Sequence, residues 1–233
     1  MNECIKRIII DLKDVQKSPI DNIHYVPDED NILSGYALII GPPNTPYEYG
    51  NFLFEFRFSK KYPYEPPTVV YKSNDGVTRF NPNLYRSGKV CLSILNTWSG
   101  EQWSACQTLR SMLITLQMTL NEMPLINEPG VDEKLHMSSI LKYNKMIHFK
   151  TLEFTILHYL KNNDKIPIQN PEIIDAIKQY YNKNKKDILK SALSLKESLK
   201  TEILSIQMYD MKMNLNYEEL YNRLDTFMNK KLN

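Results

Sequence analysis

Residues 51–58 read NFLFEFRF, and this strictly alternating stretch decides the fold class. Phenylalanine occupies every second position, whereas leucine, glutamate and arginine occupy the positions between. Successive side chains of a strand point to opposite faces, so the pattern predicts a half-buried strand with one phenylalanine face. Shorter stretches at 22–26, 34–40 and 68–72 predict three neighbouring strands, and the short spacings favour an antiparallel meander.

Two helical patterns flank the predicted sheet. Residues 3–16 carry apolar side chains at steps of three and four, which fits an amphipathic helix that Pro19 ends. Residues 108–122 place leucines and a methionine on one stripe, with Thr108 as a candidate N-cap. Because this stripe needs an apolar partner surface and the phenylalanine face offers one, we predict a helix-on-sheet core of the α+β class.

The C-terminal part of the chain is predicted to be helical. Three helices are expected, at 138–160, from about 170 to about 208, and at about 217–231. The second has Asn170 as its cap and Pro171 at the first helical position, and the polar stretch at 183–186 allows a break. Apolar stripes on these helices would be costly to leave in water. We therefore predict a core domain of residues 1–160 and a helical extension of residues 161–233 that packs on it.

A second stretch, FNPNLYRSGKVCL at residues 80–92, carries the candidate chemistry. Pro82 flanked by two asparagines opens a loop, Gly88 closes a turn, and Cys91 follows between two apolar residues. An isolated cysteine in such a place is usually a buried structural residue. A thiol at the end of an irregular loop can also carry an acyl group as a thioester, while the amide of Asn83 donates hydrogen bonds.

The flanks of Cys91 favour the second alternative, because separated motifs resemble the ubiquitin-conjugating enzyme family in the same order. They are GPPNTPYE at 41–48, FLFEFRF at 52–58, YPYEPP at 62–67, CLSIL at 91–95 and WS at 103–104. The resemblance covers about residues 3 to 160 and is most like the Z-type branch, which has a helical C-terminal extension. It implies the fold of that family: an N-terminal helix, a four-stranded antiparallel meander, a central helix and C-terminal helices.

The resemblance implies an enzyme that accepts ubiquitin from an activating enzyme as a thioester on Cys91. It then passes ubiquitin to a substrate lysine or to a ligase cysteine. No bound cofactor is expected, because ATP is used by the upstream activating enzyme. Two alternatives stay open: conjugation of another ubiquitin-like modifier, and a non-catalytic ubiquitin-binding scaffold. Cys91 and Asn83 argue against the scaffold, because scaffolds of this family lack the cysteine.

Asn83 has two compatible roles. Its NH₂ group can donate to the oxyanion of a tetrahedral intermediate, or to the backbone that shapes the loop. A cysteine protease would also need a histidine base with an orienting partner. The four histidines, at positions 24, 136, 148 and 158, lie in no protease motif.

A residue in the loop after the central helix helps to position the acceptor lysine in the family. The matching loop here is residues 121–130, which is longer than the usual one. The resemblance implies Glu128 as the first choice for this role and Asn127 as the second. A solvated loop acid is the alternative interpretation of Glu128.

The family binds its activating enzyme and its ligases through the first helix and two loops. The positions that match are Lys6, Arg7, Tyr64, Ser104, Ala105 and Cys106. Ala105-Cys106 replaces the usual Pro-Ala, which departs from the pattern for ligase docking. For Lys6 and Arg7, a plain solvated helix face is the alternative.

Two further departures lie on either side of Cys91. Asn81 stands where the family usually has histidine, and an insertion around residues 96–102 carries Trp98. We expect Trp98 to pack on the core as an apolar anchor. Contact with the ubiquitin tail or the acceptor is the alternative.

Charge and composition argue against several other classes. Residues 1–133 hold 12 basic and 16 acidic side chains (−4), and residues 134–233 hold 17 basic and 11 acidic (+6). A solvated helix face accounts for the basic part, so no nucleic-acid partner is expected. No apolar run suits a membrane span, so no membrane partner is expected, and the N-terminus does not resemble a signal peptide. Three cysteines at no metal-ligand spacing favour a reducing compartment, the cytoplasm or nucleus.

Overall fold

A four-stranded antiparallel sheet lies at the centre of the computed structural model, which describes residues 3–231. The strands are β1 (Ile23–Pro27), β2 (Ser34–Ile40), β3 (Asn51–Arg57) and β4 (Thr68–Tyr71), paired in chain order. The predicted meander is confirmed, and each strand lies within one residue of its expected bounds. In the register, Phe52 lies opposite Ile39, and Phe54 lies opposite Ala37 and Tyr71. The phenylalanine face therefore continues across the sheet.

Two helices complete the core around this sheet, α1 (Glu3–Lys17) and α2 (Leu109–Thr119). Thr108 caps α2 in a reciprocal capping box with Ser111, as its position before the apolar stripe predicted. The stripe of α2 and the phenylalanine face are buried in one continuous apolar cluster. The predicted α+β core is confirmed.

The helical region after the loop at residues 121–130 begins earlier than predicted. α3 spans Glu133–Lys150, with Asp132 as its N-cap, and continues through a π-helical stretch at Thr151–His158 into α4 at Tyr159–Lys161. The first turn of α3 contains one large apolar residue, Leu135, which is 82% exposed. A single apolar residue makes no stripe, so no periodic signal marks this turn in the sequence. The predicted domain boundary at residue 160 falls inside this continuous helical region, and the bounds of the two domains stay a prediction.

The second C-terminal helix is shorter than expected. α5 spans Pro171–Ser198 without a break, and the side chain of Asn170 caps it by accepting from the N–H of Ile173 at 3.2 Å. The prediction that this helix continues to residue 208 is wrong, because two strands follow it. β5 (Glu202–Ile206) and β6 (Met211–Leu215) pair as an antiparallel hairpin.

The hairpin follows a pattern with a period of two residues. Leu204 and Ile206 are buried on β5, and Met211 and Leu215 are buried on β6, while the residues next to them are more exposed. Stretches of five residues are too short for periodicity alone to separate a strand from a helix. The last helix, α6, spans Tyr217–Lys231 as predicted.

The extension covers the face of the sheet that lies opposite the phenylalanines. α5 packs against β1 and β2, and Leu38 and Leu53 on that face are fully buried. The side chain of Asn51 donates to the carbonyl of Thr155 at 2.7 Å and to the hydroxyl of Tyr181 on α5. β3 is therefore buried on both faces at its first residues, rather than half-buried along its whole length.

Candidate active site

Cys91 and Asn83 hold each other at the two ends of one loop. The backbone N–H of Cys91 donates to the carbonyl of Asn83 at 2.8 Å, and the side-chain amide of Asn83 donates to the carbonyl of Cys91 at 2.8 Å. The hydrogen bond from the Asn83 side chain to the loop backbone, one of the two roles predicted for this residue, is thus present. An amide NH₂ has a second N–H, so the oxyanion role of Asn83 stays a prediction.

Asn81 fixes the start of the same loop from inside the core. Its side chain is fully buried and donates to the hydroxyl of Tyr47 at 2.8 Å and to the carbonyl of Thr119 at 2.7 Å. Its side-chain oxygen accepts from the backbone N–H of Asn83 at 2.8 Å. The Tyr47 hydroxyl in turn donates to the carbonyl of Phe80 at 2.7 Å. Sequence reasoning noted Asn81 only as a departure and missed this hub, because its partners are 34 and 38 residues away.

Thr97 fixes both neighbours of Cys91. Its hydroxyl donates to the carbonyl of Val90 at 2.8 Å and accepts from the backbone N–H of Leu92 at 2.9 Å. The short turn at Ser93–Leu95 brings Thr97 back to this position. Sequence reasoning missed this residue, because a threonine in a polar insertion gives no specific signal.

Thr97 is the member of the insertion at residues 96–102 that joins this loop, and every residue of the insertion is exposed. Trp98 is 40% exposed, so the expectation that it packs on the core as a buried anchor is wrong. The side chain of Gln102 donates to the carbonyls of Trp98 and Gly100, both at 3.0 Å. These bonds close residues 98–102 on themselves instead of joining them to the core.

The environment of Cys91 suits acyl exchange more than hydrolysis. Cys91 is 2% exposed, which keeps bulk water from the sulfur, and an incoming acyl group needs local movement to reach it. Within residues 3–231, no histidine is hydrogen-bonded to this sulfur, so no base of the protease kind is in place. Cys4 is buried, its thiol donates to the carbonyl of Ser59 at 3.3 Å, and burial raises the pKa of that thiol. Cys106 is exposed.

Arg79 ties the loop to the helical region. Its guanidinium donates to the carbonyls of Asn81 at 3.1 Å and Pro82 at 2.6 Å, and it lies 3.3 Å from the centre of the Tyr85 ring. The carbonyl of Arg79 accepts from the hydroxyl of Tyr143 on α3 at 2.6 Å. Burial raises the pKa of Tyr143 well above its usual value, so this hydroxyl remains a donor.

The two candidates for positioning the acceptor lie beside this loop. The side chain of Asn127 donates to the carbonyl of Thr119 at 3.3 Å, the same carbonyl that Asn81 contacts. The carboxylate of Glu128 accepts from the hydroxyl of Tyr209 at 2.6 Å. Tyr209 lies at the tip of the β5–β6 hairpin, and sequence reasoning missed it because β5 was assigned to a helix ending at about residue 208 and no hairpin was predicted.

The predicted partner-binding residues come together at one end of the molecule. Arg7 donates to the carbonyls of Ala105 at 2.9 Å and Gln107 at 2.5 Å, and it forms an ion pair with Asp11. The indole N–H of Trp103 donates to the carbonyl of Pro63 at 2.7 Å. Arg7 therefore holds the loop against α1, whatever partners it contacts.

The exposed part of this end is formed by other predicted residues. Tyr64 is 66% exposed and its hydroxyl donates to Glu3 at 2.9 Å. Lys6, Ser104 and Cys106 are exposed, and Ala105 is partly exposed. Their role in binding a partner stays a prediction.

Comparison with known families identifies the class of protein. A family model described as "Ubiquitin-conjugating enzyme" matches residues 7–148, which is more than half of the chain. This range includes the sheet, the loop that ends at Cys91, the insertion and α2. The chain therefore belongs to the ubiquitin-conjugating enzyme family.

Curated relatives agree with this assignment. "Ubiquitin-conjugating enzyme E2 Z" of Xenopus tropicalis is 34% identical over 227 residues, covering 97% of this chain and 71% of the relative. The Homo sapiens protein of the same name is 40% identical over 170 residues, covering 72% and 48%. The chain thus matches about half the length of the human relative. The structure of human ubiquitin-conjugating enzyme E2 G1 is 27% identical, covering 52% of this chain and 96% of that one, with a TM-score of 0.46.

Residues 3–231 also bear on two other types of site. No helix in this range is long and apolar enough to cross a membrane. No group of three or more histidine, cysteine, aspartate or glutamate side chains in this range could hold a metal ion.

Proposed function

We propose that this chain accepts ubiquitin from an activating enzyme as a thioester on Cys91 and transfers it to a substrate lysine or a ligase cysteine. The observation that carries the proposal is the loop that presents Cys91. The carbonyl of Asn83 accepts from the backbone N–H of Cys91, and the side-chain amide of Asn83 donates to the carbonyl of Cys91. The hydroxyl of Thr97 bonds to Val90 and Leu92, the residues on either side of Cys91. This fixed backbone lies within the range that matches the family.

The first step is an exchange between two thiols. The thiolate of Cys91 attacks the thioester carbonyl on the activating enzyme, a new C–S bond forms and the old one breaks. The cysteine of the activating enzyme leaves as a thiolate, so neither carbon nor sulfur is oxidised or reduced. Because the two sulfurs are similar leaving groups, no strong base is needed beside Cys91.

The second step makes an amide or another thioester. A neutral lysine amine attacks the carbonyl, the C–N bond forms, the C–S bond breaks, and Cys91 leaves with the electron pair as a thiolate. The nitrogen loses one proton to the solvent. Asn83 has a free N–H for the oxyanion of this step, while Glu128 and Asn127 are the candidates for holding the amine.

The exposed partner surface supports the cascade that the proposal requires. Lys6 and Arg7 are proposed to contact the activating enzyme, and Tyr64 with the turn at 104–106 is proposed to contact ligases. Because Arg7 also bonds to Ala105 and Gln107, its replacement would disturb this surface as well as its charge.

Another ubiquitin-like modifier is the second candidate for the acyl group. The insertion with its exposed Trp98 is an addition to the common family pattern, and an exposed tryptophan suits recognition of a particular modifier tail. A panel of modifiers, each with a matching activating enzyme and ATP, separates the two candidates. Adducts are read on non-reducing gels.

Substitution of Cys91 tests both candidates together. We expect Cys91→Ala to form no adduct and Cys91→Ser to form a more stable oxyester. Cys4→Ser and Cys106→Ser are the controls, and both should form the reducible thioester. A reducible adduct that persists in Cys91→Ala would contradict the proposal.

A further inference from the structure

The tip of the β5–β6 hairpin lies against the candidate active site, although it follows Cys91 by more than 100 residues in the sequence. The tip is a short turn at Gln207–Tyr209, closed by Asp210 in the left-handed region at φ 48°. This turn presents both the side chain and the carbonyl of Tyr209 to the loop that ends at Cys91.

Four contacts hold Tyr209 in place. Its hydroxyl donates to Glu128 Oε2 at 2.6 Å, and its carbonyl accepts from Arg86 Nη2 at 2.5 Å. Its ring centre is 5.8 Å from that of Tyr143 and 5.5 Å from the guanidinium carbon of Arg79. The ring is thus packed between fixed groups, and the direction of its hydroxyl is determined.

The hydroxyl of Tyr209 is a permanent donor at neutral pH. Burial and the nearby carboxylate of Glu128 raise the pKa of Tyr209 far above its usual value. A donor in a fixed place binds one carboxylate oxygen and leaves the other oxygen of Glu128 to face a further group.

We propose that Tyr209 is a positioning residue, which holds the carboxylate of Glu128 in place to receive the ammonium group of an acceptor lysine. This inference rests on the proposed function, because it assumes that Cys91 carries the acyl group and that Glu128 faces the acceptor. It assigns to the C-terminal hairpin a part in choosing between acceptors.

The choice follows from the charge of the acceptor. A lysine arrives as an ammonium group, so a fixed carboxylate attracts it and orients it before it loses a proton to the solvent and attacks. A cysteine acceptor reacts as a thiolate, which a carboxylate does not attract. Loss of the hydroxyl should therefore slow transfer to amines and spare transfer to thiols, whereas a general loosening of the site should slow both.

Tyr209→Phe is the sharpest variant, because it keeps the ring beside Arg79 and the carbonyl bond to Arg86. Tyr217→Phe is the matched control. It removes another hydroxyl of the extension, which donates to the carbonyl of Lys145 at 3.4 Å on α3, away from the loop. Each purified variant is charged with ubiquitin and then discharged to free lysine or to N-acetylcysteine, a cysteine without an amine, and its melting temperature is measured.

We expect Tyr209→Phe to be charged at a rate within about twofold of the parent. Its rate of discharge to lysine should fall about tenfold, which corresponds to the loss of one charge-assisted hydrogen bond. Its cysteine discharge and melting temperature should stay near those of the parent, as should every rate of Tyr217→Phe. Equal losses on lysine and cysteine, or no loss on lysine, would overturn the inference.

Glu128→Gln shows whether Tyr209 acts through Glu128. If it does, the double variant that combines Tyr209→Phe with Glu128→Gln should discharge to lysine no more slowly than the single variant Glu128→Gln. Additive losses would overturn the inference. A parent protein that forms no thioester would instead reject the proposed function, so the two failures are distinguishable.

Discussion

The loop before Cys91 and the insertion after it differ in how their polar groups are satisfied. In residues 79–90, side chains of Arg79, Asn81 and Asn83 bond to the main chain or to buried hydroxyls. In residues 98–102, beyond Thr97, every residue is exposed and the side chain of Gln102 bonds only within this stretch. The first segment, together with Thr97, therefore fixes the backbone around the thiol, while residues 98–102 are free to contact a partner.

The largest effect is expected for the residue of the fixed loop nearest to the reaction. Asn83→Ala should still charge but should discharge to lysine about 10²–10³ times more slowly, the usual cost of one lost oxyanion donor. Single-turnover discharge measures this rate. Ser87→Ala, an exposed residue of the same loop, is the control and should discharge at the parent rate. If Asn83→Ala discharges at the parent rate and only loses stability, its amide is solely structural.

The next effect concerns the buried hub of the fixed loop. Asn81→Ala removes the side-chain partner of the Asn83 N–H and one of the two donors to the Thr119 carbonyl, so the free energy of unfolding should fall by about 2–4 kcal/mol. Urea denaturation measures the loss. Asn81→His should be tolerated better, because an imidazole can keep part of the bonding. Equal stability of the parent and Asn81→Ala would show that the hub does not hold the loop.

A smaller effect on stability is expected in the insertion. Trp98→Ala should change the free energy of unfolding by no more than about 1 kcal/mol, because the side chain is partly exposed. Charging or discharge should fall by about tenfold if Trp98 contacts the modifier or the acceptor. A loss of about 3–5 kcal/mol in the free energy of unfolding would instead identify Trp98 as a buried anchor and would contradict the stated difference between the two segments.

The smallest effect is expected for the bonds that close the insertion. Gln102→Ala removes two exposed hydrogen bonds and should cost less than about 0.5 kcal/mol. Thermal melting and charging assays on the variant should match the parent. A clear loss of either would show that the insertion is as rigid as the loop before Cys91.

Local patterns predicted the sheet and the central helix well. The alternation in β3 and the stripe of α2 are properties of neighbouring residues, so they are visible in the sequence itself. The cap at Thr108 and the helix start at Asn170 follow from backbone groups within three residues of each cap. The resemblance to the family added the loop around Cys91, which no periodic pattern marks.

The rest of the candidate site depends on contacts between distant segments. Tyr209 meets Glu128 across 81 residues, and Asn81 meets Tyr47 across 34. Neither pair follows from spacing, because the hairpin and the loops must first fold to bring them together. The hairpin was missed for a second reason, since each of its strands is only five residues long.

The cover that α5 places on the sheet has a consequence for how the molecule opens. Detaching α5 would bring Leu38 and Leu53 into water and would leave the buried amide of Asn51 without the hydroxyl of Tyr181. The sheet and the extension should therefore exchange their amide hydrogens as one cooperative unit. Local fraying of α5 alone would be rare, and the extension would stay on the sheet for as long as the sheet stays folded.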